Sequence, residues 1–140
     1  MADNPTPVMA TMSVAASALR AQQARMRVIA ENMANADSVS QTAGGDPYRR
    51  QVPVFAPVML PDGQQGVAMS RVAQDPTPFN VVHRPGDPAA DANGNVKLPN
   101  VDSLVEALDM RDAQRAYEAN LSVIETARSM QNSTLDLLSK

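Results

Sequence analysis

Residues 103–138 read SLVEALDMRDAQRAYEANLSVIETARSMQNSTLDLL, and this stretch determines the fold that the sequence predicts. Apolar side chains fall on a seven-residue grid in it, at Met110, Tyr117, Ile124 and Leu138, with Gln131 filling the gap between the last two. A repeat of this length is typical of an amphipathic helix that packs along another helix. At 1.5 Å per residue such a helix is about 50 Å long, which exceeds the width of a small domain. Because Leu121 and several alanines widen its apolar face, we expect it to contact more than one neighbouring helix.

The same seven-residue spacing appears near the N-terminus. The row consists of Met12, Leu19, Met26 and Met33, and Ile29 lies beside it. We predict a helix over residues 7–36, since Thr6-Pro7 places a hydroxyl group before a proline at the first helical position. The helix is expected to end in the run Asn35-Ala36-Asp37-Ser38, because asparagine tolerates the left-handed conformation found at many helix ends and aspartate and serine bond locally to the backbone. Residues 1–6 are expected to be disordered.

The beginning of the C-terminal helix carries a signal of its own. Ser103 and Glu106 match the pattern of a capping box. In that motif a serine side chain and the glutamate three residues later bond each other's backbone N–H groups. We therefore predict that the helix begins at Ser103, within a C-terminal segment that covers residues 103–140.

Between the two helices, residues 37–102 have a different composition. All six glycines of the chain and nine of its eleven prolines lie between residues 40 and 100. Short runs in this segment have the alternation or the apolar content that predicts strands. They are residues 48–55, 67–72 and 79–83, with a shorter extended run at 96–98. The first of these strands is expected at a sheet edge, because Pro53 lacks the backbone N–H that a central strand needs. Turns are expected at Pro61-Asp62-Gly63 and at Asn93-Gly94.

The predicted fold class is therefore mainly α with a small β insert. Long N- and C-terminal helices pack as an antiparallel coiled-coil-like pair and form one core domain, with a β-hairpin and loop region between them. The two helices could also pair only with each other, as an ordinary core within one chain. The breadth of the second helix favours additional partners.

Composition favours a protein that assembles over one with a large core of its own. The chain of 140 residues has no tryptophan, two tyrosines and two phenylalanines, so large side chains for a core are few. Its net charge is −3 and it has no basic tract, so nucleic acid is not an expected partner. No apolar run reaches the roughly 18–20 residues of a membrane span. Ala16-Ser17-Ala18 resembles a signal-peptidase site, but no positively charged segment precedes it.

Residues that could support catalysis or metal binding are few. The chain has no cysteine, and His83 is its only histidine, without clustered acids nearby in the sequence. The run at 91–94 resembles part of a calcium loop, but the first and twelfth positions would be Ala89 and Asn100, which supply no carboxylate. Gly44-Gly45 is too short for a phosphate loop. We therefore predict no enzyme activity, no cofactor and no metal site.

Several separate tracts together resemble one known family. Residues 30–36 (AENMANA) resemble the asparagine-rich helix end shared by the axial proteins of the bacterial flagellum, which build its rod, hook and hook-associated parts. Three tracts of the middle segment are similar to proximal rod proteins of that group. They are PYRR at 47–50 with VFAP at 54–57, DPTPF at 75–79, and GNVKLPNV at 94–101. Residues 114–120 (QRAYEAN) resemble the family's second helix, whereas Asp37-Ser38 stands where the family usually has Asn-Thr.

This resemblance implies a structural protein without enzymatic activity. The two terminal helices would form a coiled-coil-like layer that lines a hollow tube, and the middle segment would contact neighbouring subunits. The implied partners are other flagellar rod proteins, copies of the chain itself and the flagellar type III export apparatus. The implied location is the basal-body rod that spans the periplasm, reached without a cleaved signal peptide.

Two groups of candidate assembly residues follow. The helix group combines the apolar rows with asparagines of the family motifs: Met12, Leu19, Met26, Ile29, Asn32, Met33, Asn35, Met110, Tyr117, Asn120, Leu121, Ile124 and Leu138. The insert group consists of Tyr48, Arg49, Arg50, Phe55, Pro76 and Phe79. For the paired arginines, the residues alone leave three roles open: exposure to solvent, contact with a neighbouring subunit and binding of an anion.

Two other classes of protein remain compatible with the sequence. One is a sibling axial protein, such as another proximal or distal rod subunit. The other is a cytoplasmic helical adaptor or chaperone with a hairpin insert. An adaptor would stay in the soluble fraction of a cell, whereas a rod protein would co-purify with basal bodies.

Overall fold

The computed structural model describes residues 6–140. Its elements in chain order are α1 (Pro7–Ala34), β1 (Gln51–Met59), β2 (Gln65–Gln74), β3 (Asn80–His83), β4 (Asn95–Leu98) and α2 (Ser103–Leu138). Within this described part, β1 pairs with β2 and β3 pairs with β4, which gives two separate two-stranded sheets. The predicted fold class, mainly α with a small β insert, is confirmed.

A side-chain and proline cap begins α1, as the sequence predicts. The backbone N–H of Met9 donates to Thr6 Oγ1 at 3.4 Å, and the N–H of Ala10 donates to Thr6 O at 3.0 Å. Pro7 occupies the first helical position, where a backbone N–H would have no partner in the helix. The predicted disordered segment 1–6 lies outside the described residues, apart from Thr6, which belongs to this cap.

The end of α1 differs from the prediction. The helix stops at Ala34, and none of the described residues other than glycine has a positive φ, so the expected left-handed conformation at Asn35 is wrong. Instead the chain tightens, because the N–H of Ala36 donates to Met33 O at 3.3 Å and the N–H of Ser38 donates to Asn35 O at 3.2 Å. The side-chain amide of Asn35 also donates to Glu31 O at 2.8 Å. These bonds satisfy carbonyl groups that the helix end leaves without partners.

The capping box predicted at Ser103 is wrong. Asp102 caps α2 instead, since its Oδ1 accepts from the backbone N–H of Leu104 at 2.9 Å and of Val105 at 3.3 Å. Aspartate caps helices as well as serine does, and its charge is favourable near a helix N-terminus. Glu106 does not turn back to the helix start, because its carboxylate is buried and bonded elsewhere.

The four strands lie near the predicted runs, and both predicted turns are present. β3 and β4 form an antiparallel hairpin in which Asn80 pairs with Leu98 and His83 pairs with Asn95. The turn between β1 and β2 contains Gly63 at φ 80°, which only glycine adopts readily. In the turn that leads into β4, Gly94 has a φ of 78° and its N–H donates to Asp91 O at 3.0 Å.

The chain divides into two compact units. Unit 1 consists of Met1–Met26, Val54–Arg71 and Asp112–Lys140, and unit 2 consists of Arg27–Pro53 and Val72–Arg111.

Unit 1 is built from small buried side chains and a close backbone contact. Ser17 is buried in α1, and its Oγ accepts from the N–H of Val67 at 3.2 Å while it donates to Val14 O at 2.7 Å. A Cβ at Gly66 would lie 2.6 Å from Ser17 Oγ and 2.9 Å from a methyl carbon of Leu60, so a larger residue there would force these side chains to shift. The other buried apolar residues of the unit are alanines: Ala15, Ala21, Ala113 and Ala127.

Unit 2 has a core of mixed character. Its buried apolar residues are Val28, Ile29, Ala89 and Val96. Two polar residues are buried with them, Asn32 from α1 and Glu106 from α2. Burial of an amide and a carboxylate is unfavourable unless both are bonded, so their partners define the most specific feature of this unit.

Candidate assembly surfaces and the polar cluster of unit 2

Asn32, near the end of α1, bonds to the chain as a strand neighbour would. Only 1% of it is exposed. Its Oδ1 accepts from the backbone N–H of Gln51 at 2.9 Å, and its Nδ2 donates to the backbone oxygen of the same residue at 2.8 Å. The hydroxyl of Tyr48 also donates to Oδ1, at 2.8 Å. The amide thus supplies both halves of a backbone pairing to the first residue of β1.

Glu106 is the most buried charged residue of the described chain, with an exposure of 0%. Its Oε1 accepts from Arg50 Nε in an ion pair, and its Oε2 accepts from Asn32 Nδ2 at 3.2 Å. A buried carboxylate is stable only with such partners, because desolvation of an unpaired charge costs several kcal/mol. Glu106 therefore connects the start of α2 with the end of α1 and with the segment that precedes β1.

The guanidinium of Arg50 reaches two further acids. Its Nη1 lies 3.3 Å from Asp75 Oδ2, and its Nη2 lies 3.5 Å from Asp109 Oδ2. The backbone of Arg50 is held too, since its N–H donates to Asn100 Oδ1 at 2.7 Å and its oxygen accepts from the N–H of Asp75 at 2.9 Å. One side chain and its backbone thus join four segments of unit 2.

Arg49 and Asn100 hold the loop between β2 and β3. Nη1 of Arg49 donates to the backbone oxygens of Asp75 and Thr77, at 2.9 and 3.1 Å. Asn100 Nδ2 donates to the same two oxygens, at 3.1 and 2.9 Å. The guanidinium carbon of Arg49 also lies 4.1 Å from the centre of the Phe79 ring, a cation–π contact. The two arginines therefore act on neighbouring backbone and side chains of their own unit. We name the set Asn32, Tyr48, Arg49, Arg50, Gln51, Asp75, Asn100, Glu106 and Asp109 the polar cluster.

Ionisation in the polar cluster follows from these contacts. Burial alone would lower the pKa of Arg50, but the hydrogen bond and charge of Glu106, and then those of Asp75, raise it. The pKa of Asp75 is lowered, first by the hydrogen bonds that it accepts from Thr77 and then by Arg50. The pKa of Tyr48 is raised by burial and by the charges of Glu31 and Glu106. The cluster therefore keeps its arginine charged and its phenol neutral near neutral pH.

The arrangement supports structure rather than chemistry. Asn32 and Glu106 are almost completely buried and bonded to protein groups, so a substrate has no access to them. Among residues 6–140, no group of three or more histidine, cysteine, aspartate or glutamate side chains could hold a metal ion. Over the same residues, neither helix is long and apolar enough to cross a membrane.

An aspartate in place of Asn32 tests the strand-like pairing. Asn32→Asp keeps the shape, removes both donor hydrogens and places a second carboxylate beside buried Glu106. We expect the free energy of unfolding to fall by roughly 2–5 kcal/mol. Asn35→Asp is the matched control, since Asn35 bonds a single carbonyl, and its cost is expected to be about 1 kcal/mol or less. Equal losses in urea unfolding would contradict the role given to Asn32.

The lowered pKa of Asp75 predicts how stability depends on pH. A carboxyl whose pKa is lower in the folded chain contributes stability above its ordinary value of about 3.9, and this contribution is lost as the pH falls through the folded value. Urea unfolding of the wild type and of Asp75→Asn is therefore expected to differ most near pH 7. The difference should begin to shrink below about pH 4, where Asp75 of the unfolded chain becomes protonated, and should disappear once the pH falls below the lowered pKa of Asp75 in the folded chain. A difference that stayed constant from pH 7 to pH 3 would exclude a charged role for Asp75.

The predicted rows of α1 lie on the flank of its buried face. Met12, Leu19 and Met26 are half-buried, and Met33 is exposed. Ile29 and Asn32 are buried, and Asn35 is half-buried at the helix end. The positions with least exposure include Ser17, Ala21 and Val28, which the apolar row does not contain.

The predicted row of α2 also lies beside the most buried one. Met110, Tyr117 and Ile124 are half-buried, Leu121 is exposed and Leu138 is almost fully exposed. The buried positions are Glu106, Ala113 and Ala127, and Asn120, which completes their seven-residue spacing, is half-buried with Nδ2 bonded to Ala116 O at 2.8 Å. The large apolar side chains therefore flank the most buried line, where other chains can reach some of them.

Five of the six insert residues are half-buried. They are Tyr48, Arg49, Arg50, Phe55 and Phe79, whereas Pro76 is exposed. The structure brings Tyr48, Arg49, Arg50 and Phe79 into the contacts of unit 2, while Phe55 belongs to unit 1. Asp75 and Asn100 lie in tracts that resemble the family, but neither they nor Asp109 were among the candidate site residues, because each acts on a partner more than twenty positions away.

Large apolar side chains are exposed along α2. In its first two turns these are Leu104, Val105 and Leu108, with 70%, 45% and 54% of each exposed. In its C-terminal half they are Leu121, Val123, Met130, Leu135, Leu137 and Leu138. Exposed apolar surface of this extent marks interaction sites in soluble proteins.

Comparisons with known proteins agree with this architecture. A family model described as "Flagella basal body rod protein" matches residues 12–40, and one described as "Flagellar basal body rod FlgEFG protein C-terminal" matches residues 92–137. The matched stretches cover most of α1 and α2. The chain is thus of the flagellar basal-body rod class.

Full-length relatives identify the family within that class. The "Flagellar basal-body rod protein FlgC" of Agrobacterium fabrum is 44% identical over 133 residues, covering 94% of this chain and 96% of the relative. The protein of that name from Salmonella typhimurium is 45% identical over 126 residues, covering 89% and 92%. The one from Bacillus subtilis is 34% identical over 143 residues, covering 91% and 95%. The chain belongs to the FlgC family of flagellar basal-body rod proteins.

Proposed function

We propose that the chain is a structural subunit of the proximal rod of the bacterial flagellar basal body. It assembles with other rod proteins and with copies of itself into a hollow axial shaft, after passage through the flagellar type III export apparatus. The single observation that carries the proposal is similarity to FlgC proteins along nearly the whole chain. The extensive exposed apolar surface of α2 supports it, because a subunit of a polymer buries such surface on assembly.

Within this proposal the two helices pair in an antiparallel, coiled-coil-like manner. In unit 1, Pro7, Val8 and Thr11 line a groove with residues 122–130 of α2. Further along α1, Val14 and Ala18 line a groove with Asn120 and Val123. Residues further along α1 therefore lie beside residues that come earlier in α2. This order supports opposite directions of the two helices.

The proposal assigns no enzymatic activity to the chain. The residues of the polar cluster form hydrogen bonds and ion pairs with one another, and these contacts connect segments of the same chain. The half-buried insert residues and the exposed Pro76 are proposed to face neighbouring rod subunits. A periplasm-spanning position in the rod is part of the same proposal.

Purification of basal bodies tests the proposed function. A chain with a short C-terminal tag, expressed at its native level, is expected to co-purify with detergent-extracted basal bodies and to give density in the rod. Deletion of the gene is expected to abolish swimming, and the untagged gene to restore it. A chain that remained entirely in the soluble fraction would exclude a rod subunit and favour a cytoplasmic adaptor.

A further inference from the structure

The amino-acid sequence of β1 favours pairing with strands of other chains. Residues 51–60 read QVPVFAPVML, a run without a charged residue that contains three valines and a phenylalanine. Uncharged runs of this kind add readily to other chains when the edge of the strand is accessible. In the part of the chain that the structure describes, β1 pairs with one strand, β2, so its second edge has no neighbouring strand. The groups at that edge decide whether another chain can pair with β1.

Alternate residues of β1 direct their backbone groups away from β2. The backbone oxygen of Arg50, just before the strand, accepts from the N–H of Asp75 at 2.9 Å. The N–H of Leu60, just after the strand, donates to the oxygen of Gln64 at 2.8 Å. Both partners adjoin β2, so the even-numbered residues face that strand. Because successive residues of a strand direct their backbone groups to opposite edges, the odd-numbered residues point to the other edge, which we name the outer edge of β1. They are Gln51, Pro53, Phe55, Pro57 and Met59.

Three of these five positions are closed to a further strand. Asn32 occupies Gln51, because its side chain bonds both the N–H and the oxygen of that residue, at 2.9 and 2.8 Å. Pro53 and Pro57 have no backbone N–H to donate. The remaining positions, Phe55 and Met59, are separated by Pro57. No two successive residues of the outer edge are therefore able to pair with another strand.

The outer edge of β4 is closed by similar means. The N–H of Asp91 donates to the oxygen of Asn95 at 2.9 Å, and Asp91 Oδ1 accepts from the N–H of Asn95 at 2.9 Å. Since both backbone groups of Asn95 bond to Asp91, they point away from β3. Lys97 and Pro99 follow at the next outward positions, and a lysine or a proline at a strand edge disfavours strand addition. A side chain that bonds the first residue of a strand, followed by prolines, thus occurs at two separate edges.

We infer that Asn32, Pro53 and Pro57 close the outer edge of β1, so that folded chains do not associate through this strand. This inference goes beyond the proposed function and does not depend on it. Asn32 belongs to α1, and it covers Gln51 only while the end of α1 lies against the start of β1. The contact is therefore conditional, since a chain in which α1 has not reached this position presents Gln51 to other chains. The prolines protect the edge in either state.

Replacement of the two prolines in the full-length chain tests the inference. Pro53→Thr with Pro57→Thr supplies two outward N–H groups without adding a larger apolar side chain. We expect this variant to form thioflavin-T-positive assemblies after a lag at least about fivefold shorter than that of the wild type. Pro57→Thr alone, at an exposed position, opens three successive outward residues and is expected to shorten the lag to a smaller extent. Circular dichroism of the fresh samples verifies that the variants are folded.

The matched control makes the same two replacements outside the strands. Pro76→Thr with Pro78→Thr changes the exposed loop between β2 and β3, and its lag is expected to equal that of the wild type. Hydrogen exchange of the assemblies then locates the contact, with new protection expected at residues 53–59. A lag of Pro53→Thr with Pro57→Thr no shorter than that of the control, or protection confined to other segments, would overturn the inference.

A second pair of variants separates the closing of the edge from a loss of stability. Asn32→Ala uncovers Gln51, whereas Val28→Ala removes buried apolar atoms from the same unit and keeps the amide in place. The two are compared at urea concentrations that give equal unfolded fractions. Assemblies of Asn32→Ala are expected to appear about threefold sooner. Equal lags would mean that Asn32 stabilises the fold without protecting the edge, and would overturn the part assigned to it.

Discussion

Replacement of Arg50 by methionine is expected to lower the free energy of unfolding by roughly 3–5 kcal/mol. The reason is the burial of Glu106, which is 0% exposed and would keep only the amide of Asn32 as a partner. A carboxylate left in that position must either remain charged without compensation or bind a proton. Both alternatives cost free energy in the folded chain but not in the unfolded one.

The double variant Arg50→Met with Glu106→Met is the decisive control. It removes both charges and fills the space with side chains of similar size, so much of the lost stability is expected to return. Urea unfolding of the wild type, the single variant and the double variant measures the difference. A double variant as unstable as Arg50→Met alone would show that the contacts of Arg50 with Asp75 and Asp109, rather than the burial of Glu106, determine the effect.

Replacement of Leu104 or Leu108 by aspartate is expected to abolish swimming while the chain stays folded. Both leucines are exposed in the first two turns of α2, so their loss is expected to change the free energy of unfolding by no more than about 0.5 kcal/mol. An aspartate near a helix N-terminus is also electrostatically favourable. If these leucines contact a neighbouring subunit in the rod, as proposed, the same change would bury a charge in an apolar contact.

Ser103→Asp is the matched control, because it adds the same charge in the same helical turn without removing an apolar side chain. It is expected to leave swimming intact. Swimming plates, urea unfolding and the amount of chain in purified basal bodies together give the result. Normal swimming of both leucine variants would mean that this part of α2 faces solvent in the rod.

The two helices could be predicted because their apolar rows repeat over many turns. The most buried positions along each helix could not be predicted in the same way. In α2 that line is Glu106, Ala113, Asn120 and Ala127, which combines alanines with polar residues and has no apolar periodicity. If the large side chains contact other subunits, as proposed, the largest apolar residues mark contacts between chains and the small ones mark contacts within the chain.

The polar cluster shows why the candidate site could be predicted only in part. Tyr48, Arg49, Arg50 and Asn32 were identified through family motifs. Glu106 was assigned to a capping box, because a serine three positions before a glutamate is the local sequence pattern of that motif. Its actual partners lie 56 and 74 positions away, and a single sequence carries no signal for pairings of that length.

Those long separations also bear on when unit 2 can become stable. The bonds from Glu106 to Arg50 and Asn32 close only after both ends of a 74-residue stretch are free to meet, whichever end of the chain leads through a narrow channel. Closing a loop of that length has an entropic cost that grows with the logarithm of its size. A subunit that passes unfolded through the export apparatus, as proposed, would therefore lack the contacts of Glu106 with Arg50 and Asn32 for most of its passage and form them only afterwards.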